Sequence, residues 1–277
     1  MDNYQNDQIL KALRDSGFLL VKSSLLPLDL QQKALNVSSR LLESSSKTVH
    51  HPSDPKIYIM MGFDELESED DVTILKEYYK SLREVRDVLL RSIASGIGID
   101  SNFFTQLHDE DNDSIRLLEY LPGDETTGNR CKEHSDYGTL TLLLTDGLGL
   151  EAFVDGQWRA VPDVEGALVV NIGSILAEWT RNDLKATLHR VAGPATTGSP
   201  TSKDDLLKAV SLPRRSIAYF SDPNSNVSTA LSKSKDCDSG DDVNMTILEY
   251  IQWRSGGTNA NRSGVAFTSN EEERLAG

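Results

Sequence analysis

The chain has 277 residues, 38% of them hydrophobic, enough to bury one large apolar core, and a single domain is expected at this length. A formal net charge of −15 argues against a nucleic-acid backbone or an anionic membrane surface as partner, because no basic patch interrupts it. Cys131 and Cys237 lack metal-binding spacing and are too few for a disulfide framework; with a polar amino-terminal stretch and no apolar run of membrane-spanning length, the expectation is a soluble, monomeric, cytoplasmic protein.

Ile9, Leu10 and Leu13 read as a short amphipathic helix stopped at Gly17, followed by a buried strand over 18–21. From 27 to 46 apolar residues recur at helical spacing, among them Leu30, Ala34, Leu35, Val37, Leu41 and Leu42, before a serine cluster. His50 and His51 are adjacent in a polar stretch, and without convergent partners they read as solvated loop residues. The segment 56–63 is strand-like; its Tyr58, Met60 and Phe63 suit a core or the wall of a pocket. From 71 to 95 the spacing of Ile74, Leu75, Tyr78, Leu82, Val85, Leu89 and Ile93 predicts one long helix, ended by Gly96 and Gly98.

From Ser114 onward the texture changes to short β-rich runs, at 115–121, 139–145, 150–154, 158–161, 167–172, 187–191 and 216–220. Many short strands separated by turn signals predict a barrel or sandwich, and Asp155-Gly156 marks a hairpin. Two polar stretches, 194–212 and 224–242, read as inserted surface loops, disordered or lid-forming. The stretch 245–254 predicts a last helix, with Trp253 packed and Arg254 solvated unless either contacts substrate.

Chemistry concentrates in three places. His134 and Asp136 sit two residues apart, and on an extended strand residues i and i+2 share a face, so the two can bind one ion together. His189, in another strand-like segment, is the third candidate; two His and one carboxylate leave half of an octahedron open, the ligand set of non-haem Fe(II) oxygen chemistry. On the strand after Pro213, alternation places Arg214 and Ser216 on one face, a guanidinium and a hydroxyl that suit a planar carboxylate. Arg130 and Lys132 precede the His134 strand, and Arg116 lies on the strand before. Alternation puts Lys132 on the face of His134 and Asp136 with Arg130 one pleat further out, a placement suited to a small carboxylate-bearing substrate; surface pairing with Glu133, Asp124 and Glu125 is the plain alternative.

The order His-x-Asp, distal His, Arg-x-Ser resembles the isopenicillin N synthase-like branch of the 2-oxoglutarate and Fe(II)-dependent dioxygenases, and 158–162, 166–173 and 188–191 are similar to that family's flanking segments. The resemblance implies a mainly β fold with flanking helices, a distorted double-stranded β-helix or jelly roll. It implies one domain over 1–277: a mostly helical support over 1–113, the jelly-roll core over 114–223, and a loop and closing segment over 224–277. It also implies iron ligands His134, Asp136 and His189, and 2-oxoglutarate contacts from Arg214, Ser216 and Tyr120, although Leu118 stands where plant relatives commonly have asparagine. Tyr58, Phe63, Trp253 and Arg254 join Arg116, Arg130 and Lys132 as substrate-contact candidates. The function implied is hydroxylation, desaturation or oxidative cyclisation of a small metabolite, such as an amino-acid derivative in specialised metabolism, using Fe(II), 2-oxoglutarate and O2. A same-fold iron oxidase that dispenses with 2-oxoglutarate, and a β-sandwich binding module with structural or zinc-holding histidines, are the alternatives.

Overall fold

The structure, a computed structural model, describes residues 3–60, 68–230 and 245–254. Helix α1 (Asn3–Asp15) ends where Gly17 takes a φ of 72°, a left-handed conformation that only glycine adopts at little cost, and a Cβ there would meet the Lys185 carbonyl oxygen at 2.2 Å. The chain reverses at once into β1 (Phe18–Val21). Helices α2 (Leu28–Ser44) and α3 (Glu69–Gly96) bury the stripes their spacing foretells, Leu30, Ala34, Val37 and Leu42 on one and Leu75, Tyr78, Leu82, Leu89 and Ile93 on the other. Ser68 caps α3 by accepting from the Asp71 amide, and Glu69, Asp70 and Asp71 complement the positive end of its dipole.

The remaining strands are β2 (Val49–His50), β3 (Lys56–Met60), β4 (Ser114–Tyr120), β5 (Cys131–His134), β6 (Leu140–Thr145), β7 (Leu150–Val154), β8 (Gln157–Ala160), β9 (Leu168–Ile172), β10 (His189–Val191) and β11 (Arg214–Ser221). They form a 7-stranded sheet in the order β1-β9-β6-β11-β4-β3-β2 and a 4-stranded sheet in the order β5-β10-β7-β8. The two lie face to face as a jelly roll. Alternation along the larger sheet separates two cores: Ile115, Leu117, Leu142, Leu144, Ile217 and Tyr219 turn outward onto the helices, while Leu118, Tyr120, Val169 and Ala218 turn inward to meet Leu150, Ala152 and Val191 of the smaller sheet. Because β1 and β3 belong to the larger sheet, the first 113 residues supply strands of the roll as well as its helical cover.

Register arranges the inward-facing polar residues in rows. Arg214 pairs with Tyr120 and Tyr120 with Lys56; Ala218 pairs with Arg116 and with Leu143; Phe220 pairs with Thr141 and Thr141 with Asn171. The interior is thus polar towards both ends of the strands, with Arg116 set among apolar residues between.

The stretch 194–212 is ordered, contrary to the disorder expected from its composition. Ser199 and Thr201 donate to the buried Glu151 carboxylate, and Ser202 caps α5 (Lys203–Val210), whose Leu206 and Val210 are buried. The helix start is written as Ser202-x-x-Asp205 with two apolar residues four apart, a pattern that a mostly polar composition conceals. Of the second polar stretch, 231–244 lie outside the described residues. His51 accepts the Asp54 amide at 3.0 Å, a structural role, while His50 is exposed in β2. No helix among the described residues is long and apolar enough to cross a membrane.

Leu206→Ala is expected to lower stability by about 2–5 kcal/mol in denaturant melts, the range for emptying a packed leucine site. An unchanged midpoint would mean that α5 does not pack against the roll.

Candidate active site

Strand β5 ends at His134 in the smaller sheet and β6 begins at Leu140 in the larger one, so the turn 135–139 crosses between the sheets. Asp136 therefore lies in a turn and does not continue the strand of His134 as the i, i+2 spacing implied. What fixes it is the short helix α4 (Ser174–Trp179). Its first amides have no partner within the helix, and they bind the turn: Ser174 N donates to Asp136 O at 2.8 Å and Ile175 N to Tyr137 O at 3.1 Å. Ser174 Oγ donates to the same Asp136 carbonyl at 3.0 Å. The approach is so close that a Cβ on Gly173 would fall 2.2 Å from Gly138 O.

The carboxylate of Asp136 is divided in use. Its Oδ2 accepts from Thr141 Oγ1 at 2.5 Å and Asn171 Nδ2 at 2.7 Å, while its Oδ1 stands 3.9 Å from His134 Nε2 and 3.9 Å from His189 Nε2. Each imidazole donates Nδ1–H to a backbone carbonyl, His134 to Lys132 O at 2.8 Å and His189 to Thr187 O at 3.1 Å, which leaves Nε2 of each ring as the atom to face a cation. The donor atoms of all three residues lie within 4.8 Å of one another. Burial by itself would raise the Asp136 pKa; the fields of His189 and His134, then the Thr141 and Asn171 hydrogen bonds, outweigh it and hold the group below the usual carboxylate value. A carboxylate kept charged and two imidazole Nε2 atoms, each able to give up its proton to a metal, form a donor set suited to a divalent cation such as Fe(II).

A register shift sets what lies beside His134. His189 pairs with His134 and Val191 with Cys131, so two steps along β5's partner match three along β5. The extra residue is a bulge, and a bulge reverses the inward and outward alternation. Cys131 turns inward as a result, its Sγ 3.1 Å from Lys56 Nζ and 4.0 Å from His134 Nδ1. Lys132 is exposed, and the face it was expected to share with His134 and Asp136 does not form. Arg130, expected one pleat further out, is instead buried against Tyr120.

Arg214 and Ser216 are on the inward face of β11. Arg214 Nε donates to Gly147 O at 3.0 Å, while Nη1, Nη2 and the Ser216 hydroxyl are buried without any hydrogen-bond partner. Folded proteins rarely leave such donors unmet, so the cluster is shaped for an anion. Tyr120 lines it, its ring centroid 5.0 Å from Arg214 Cζ. Arg116 is also on the interior face, with Cζ 5.3 Å from the Tyr58 ring and 5.4 Å from that of Phe220, and Nη2 3.2 Å from Met60 Sδ. Tyr58 is buried, as core would be, and borders this space; Phe63 lies outside the described residues. On α6 (Ile247–Arg254) the expected roles are exchanged. Trp253 is 52% exposed, whereas Arg254 lies 4.3 Å over the Tyr137 ring and donates to Tyr250 Oη at 2.8 Å.

Asn171, Thr141 and Cys131 were not singled out by sequence. For Asn171 a signal existed, a lone amide within the otherwise apolar 168–172 run; Thr141 and Cys131 carry none without the register.

Residues 112–223 match the profile of the 2OG-Fe(II) oxygenase superfamily. That segment belongs to the superfamily. A clavatol oxidase of Penicillium crustosum is 30% identical over 201 residues, 69% of this chain and 55% of the relative. A 2-oxoglutarate-dependent dioxygenase of Aspergillus rugulosus is 34% identical over 171 residues, 57% of this chain and 50% of the relative. The chain thus spans about half the length of these curated relatives. Among solved structures, a full-length Neurospora crassa protein in complex with alpha-KG and 5-formyluracil superposes with a TM-score of 0.75 at 25% identity, over 91% of this chain and 89% of that one. JOX2 in complex with 2OG, Fe and JA gives 0.73 at 18% identity, over 90% and 81%, a likeness of fold. The oxygenase profile spans the turn carrying Asp136, both histidines and the Arg214 pair.

His134→Ala, Asp136→Ala and His189→Ala are each expected to abolish Co(II) binding, read by calorimetry, while the protein stays folded, and Asp136→Glu to be nearly as damaging because the carboxylate is displaced by about one bond length. Asn171→Ala is expected to weaken Co(II) about 10- to 100-fold, as loss of a ligand's hydrogen-bond partner does. Wild-type affinity in any ligand variant would contradict the triad.

Proposed function

We propose that this chain is an Fe(II)- and 2-oxoglutarate-dependent oxygenase acting on a small anionic metabolite. The observation that carries the proposal is that two incomplete sites share one interior: three metal-binding donors converge in it, and a buried, unsatisfied guanidinium and hydroxyl on β11 face the same space. A carboxylate anchored at Arg214 and Ser216 directs the rest of a short keto acid towards the His134, Asp136 and His189 donors. When bound there, Fe(II) together with 2-oxoglutarate supplies oxidative decarboxylation of the keto acid coupled to oxidation of a substrate C–H bond by O2.

The side chains orient and shield. Asp136 is kept ionised and its free oxygen aimed by Thr141 and Asn171; the imidazoles are held in one tautomer by backbone carbonyls. Leu118, Val169 and Ala218 with Leu150 and Ala152 exclude water between the two polar ends. On the substrate side, the reading moves from Arg130 and Lys132 to Arg116, whose flanking Tyr58 and Phe220 rings hold a guanidinium in place for an anionic group. Support for specialised metabolism comes from the relatives, which include, besides the clavatol oxidase, a proline hydroxylase of Petromyces alliaceus, 30% identical over 188 residues. The proposal keeps the protein monomeric and cytoplasmic.

Succinate formation across 2-oxoglutarate concentrations tests the cosubstrate half. Arg214→Lys is expected to raise the half-saturating concentration about tenfold or more, since a point charge cannot replace a two-pronged bond whose hydrogen bonds are worth about 1.5–3 kcal/mol each. Ser216→Ala should cost about 1 kcal/mol, roughly fivefold. Unchanged saturation in Arg214→Lys would favour an iron oxidase that works without the keto acid.

A further inference from the structure

The Arg-x-Ser pair does not hold all the charge at its end of the interior. Arg130 is the bulkiest fully buried side chain among the described residues, 1% exposed. Its Nη2 donates to Tyr120 O at 2.7 Å and Leu121 O at 3.0 Å, and its Nε is buried with no hydrogen-bond partner. The Cζ atoms of Arg130 and Arg214 stand 5.6 Å and 5.0 Å from the centroid of the same Tyr120 ring. Among the described residues neither guanidinium makes an ion pair. The buried carboxylate nearby, Asp54, is taken by Lys56 at 2.8 Å, and Asp163, whose field reaches Arg214, is exposed and beyond ion-pair distance.

Two buried like charges around one ring are unfavourable, because loss of hydration is offset only by a partner of opposite sign. Burial first, and then the Arg214 charge, hold the Arg130 pKa down to about 10. A residue needed only to tie down the 120–121 carbonyls would do so better as a neutral amide. Arg214 Nη1 and Nη2, Ser216 Oγ and Arg130 Nε are four buried donors without a hydrogen-bond partner beside one ring, and a carboxylate offers about four lone-pair sites.

We infer that Arg130 is a second anchoring cation for the distal carboxylate of the keto acid, shared with Arg214 and Ser216, so that this end of the site selects a dianionic cosubstrate. The inference rests on the proposed use of 2-oxoglutarate, and the experiment separates the two. Calorimetry on Ni(II)-loaded protein compares 2-oxoglutarate with oxalate, which chelates the metal but has no distal carboxylate. Arg130→Gln is expected to weaken 2-oxoglutarate at least tenfold and leave oxalate within twofold, with Arg214→Lys run in parallel. If Arg214→Lys weakens 2-oxoglutarate and Arg130→Gln does not, Arg130 only ties the backbone and the inference fails while the functional reading stands. If neither variant weakens it, the functional reading itself fails. Equal losses for both ligands in Arg130→Gln would overturn the inference by showing a general effect on the metal site. Should Arg130→Gln not fold, Arg130→Lys takes its place, with a threefold or greater loss of preference for 2-oxoglutarate over oxalate expected and an unchanged preference overturning the assignment.

Discussion

The placement of one carboxylate governs this structure. Asp136 sits on a five-residue crossing between sheets, where a free turn would sample many positions, and a metal site tolerates displacements well under an ångström. Three elements act on it together: α4, through its amide end and the Ser174 hydroxyl, fixes its backbone carbonyl, and Thr141 on β6 and Asn171 on β9 clamp one carboxylate oxygen. The other oxygen is left between two Nε2 atoms. The close approach of Gly138 and Gly173 follows from the same demand, since any side chain at Gly173 would push the turn away from the helix that aims it.

The interior is then organised by what each end can tolerate. Towards one end, a charged acid and two imidazoles offer donors to a cation; towards the other, two guanidiniums and a hydroxyl offer donors to an anion. Each set alone is an unfavourable burial of polar groups. Together they would be met by one metal-chelating ligand that carries a second anionic group, as proposed above, with an apolar wall of Leu118, Val169 and Ala218 between. An account in which the histidines and the Arg-x-Ser pair are accidental would leave both sets of costs unexplained.

Much of this was legible in the residues. The stripes of α2 and α3, the stop at Gly17 and the hairpin at Asp155-Gly156 follow from local rules, and the candidate ligands could be picked by type and order. What escaped depends on pairing between distant segments. Alternation put Lys132 beside His134, but the extra residue in β5 becomes visible only when His189 and Val191 are set against their partners. Arg130 read as a substrate contact or a surface charge because no sequence rule distinguishes a solvated guanidinium from one turned inward over Tyr120. Segment 194–212 hid a capped helix under a serine- and threonine-rich composition, and the exchange of Trp253 and Arg254 follows from where α6 crosses Tyr137, a contact between residues more than a hundred positions apart.

The central claim is that one interior binds Fe(II) and a keto acid at the same time. Anaerobic addition of Fe(II) to the protein, with and without 2-oxoglutarate, tests it directly. A weak visible charge-transfer band that appears only when both are present is the result this account requires. Tight Fe(II) binding with no band at saturating 2-oxoglutarate would contradict it.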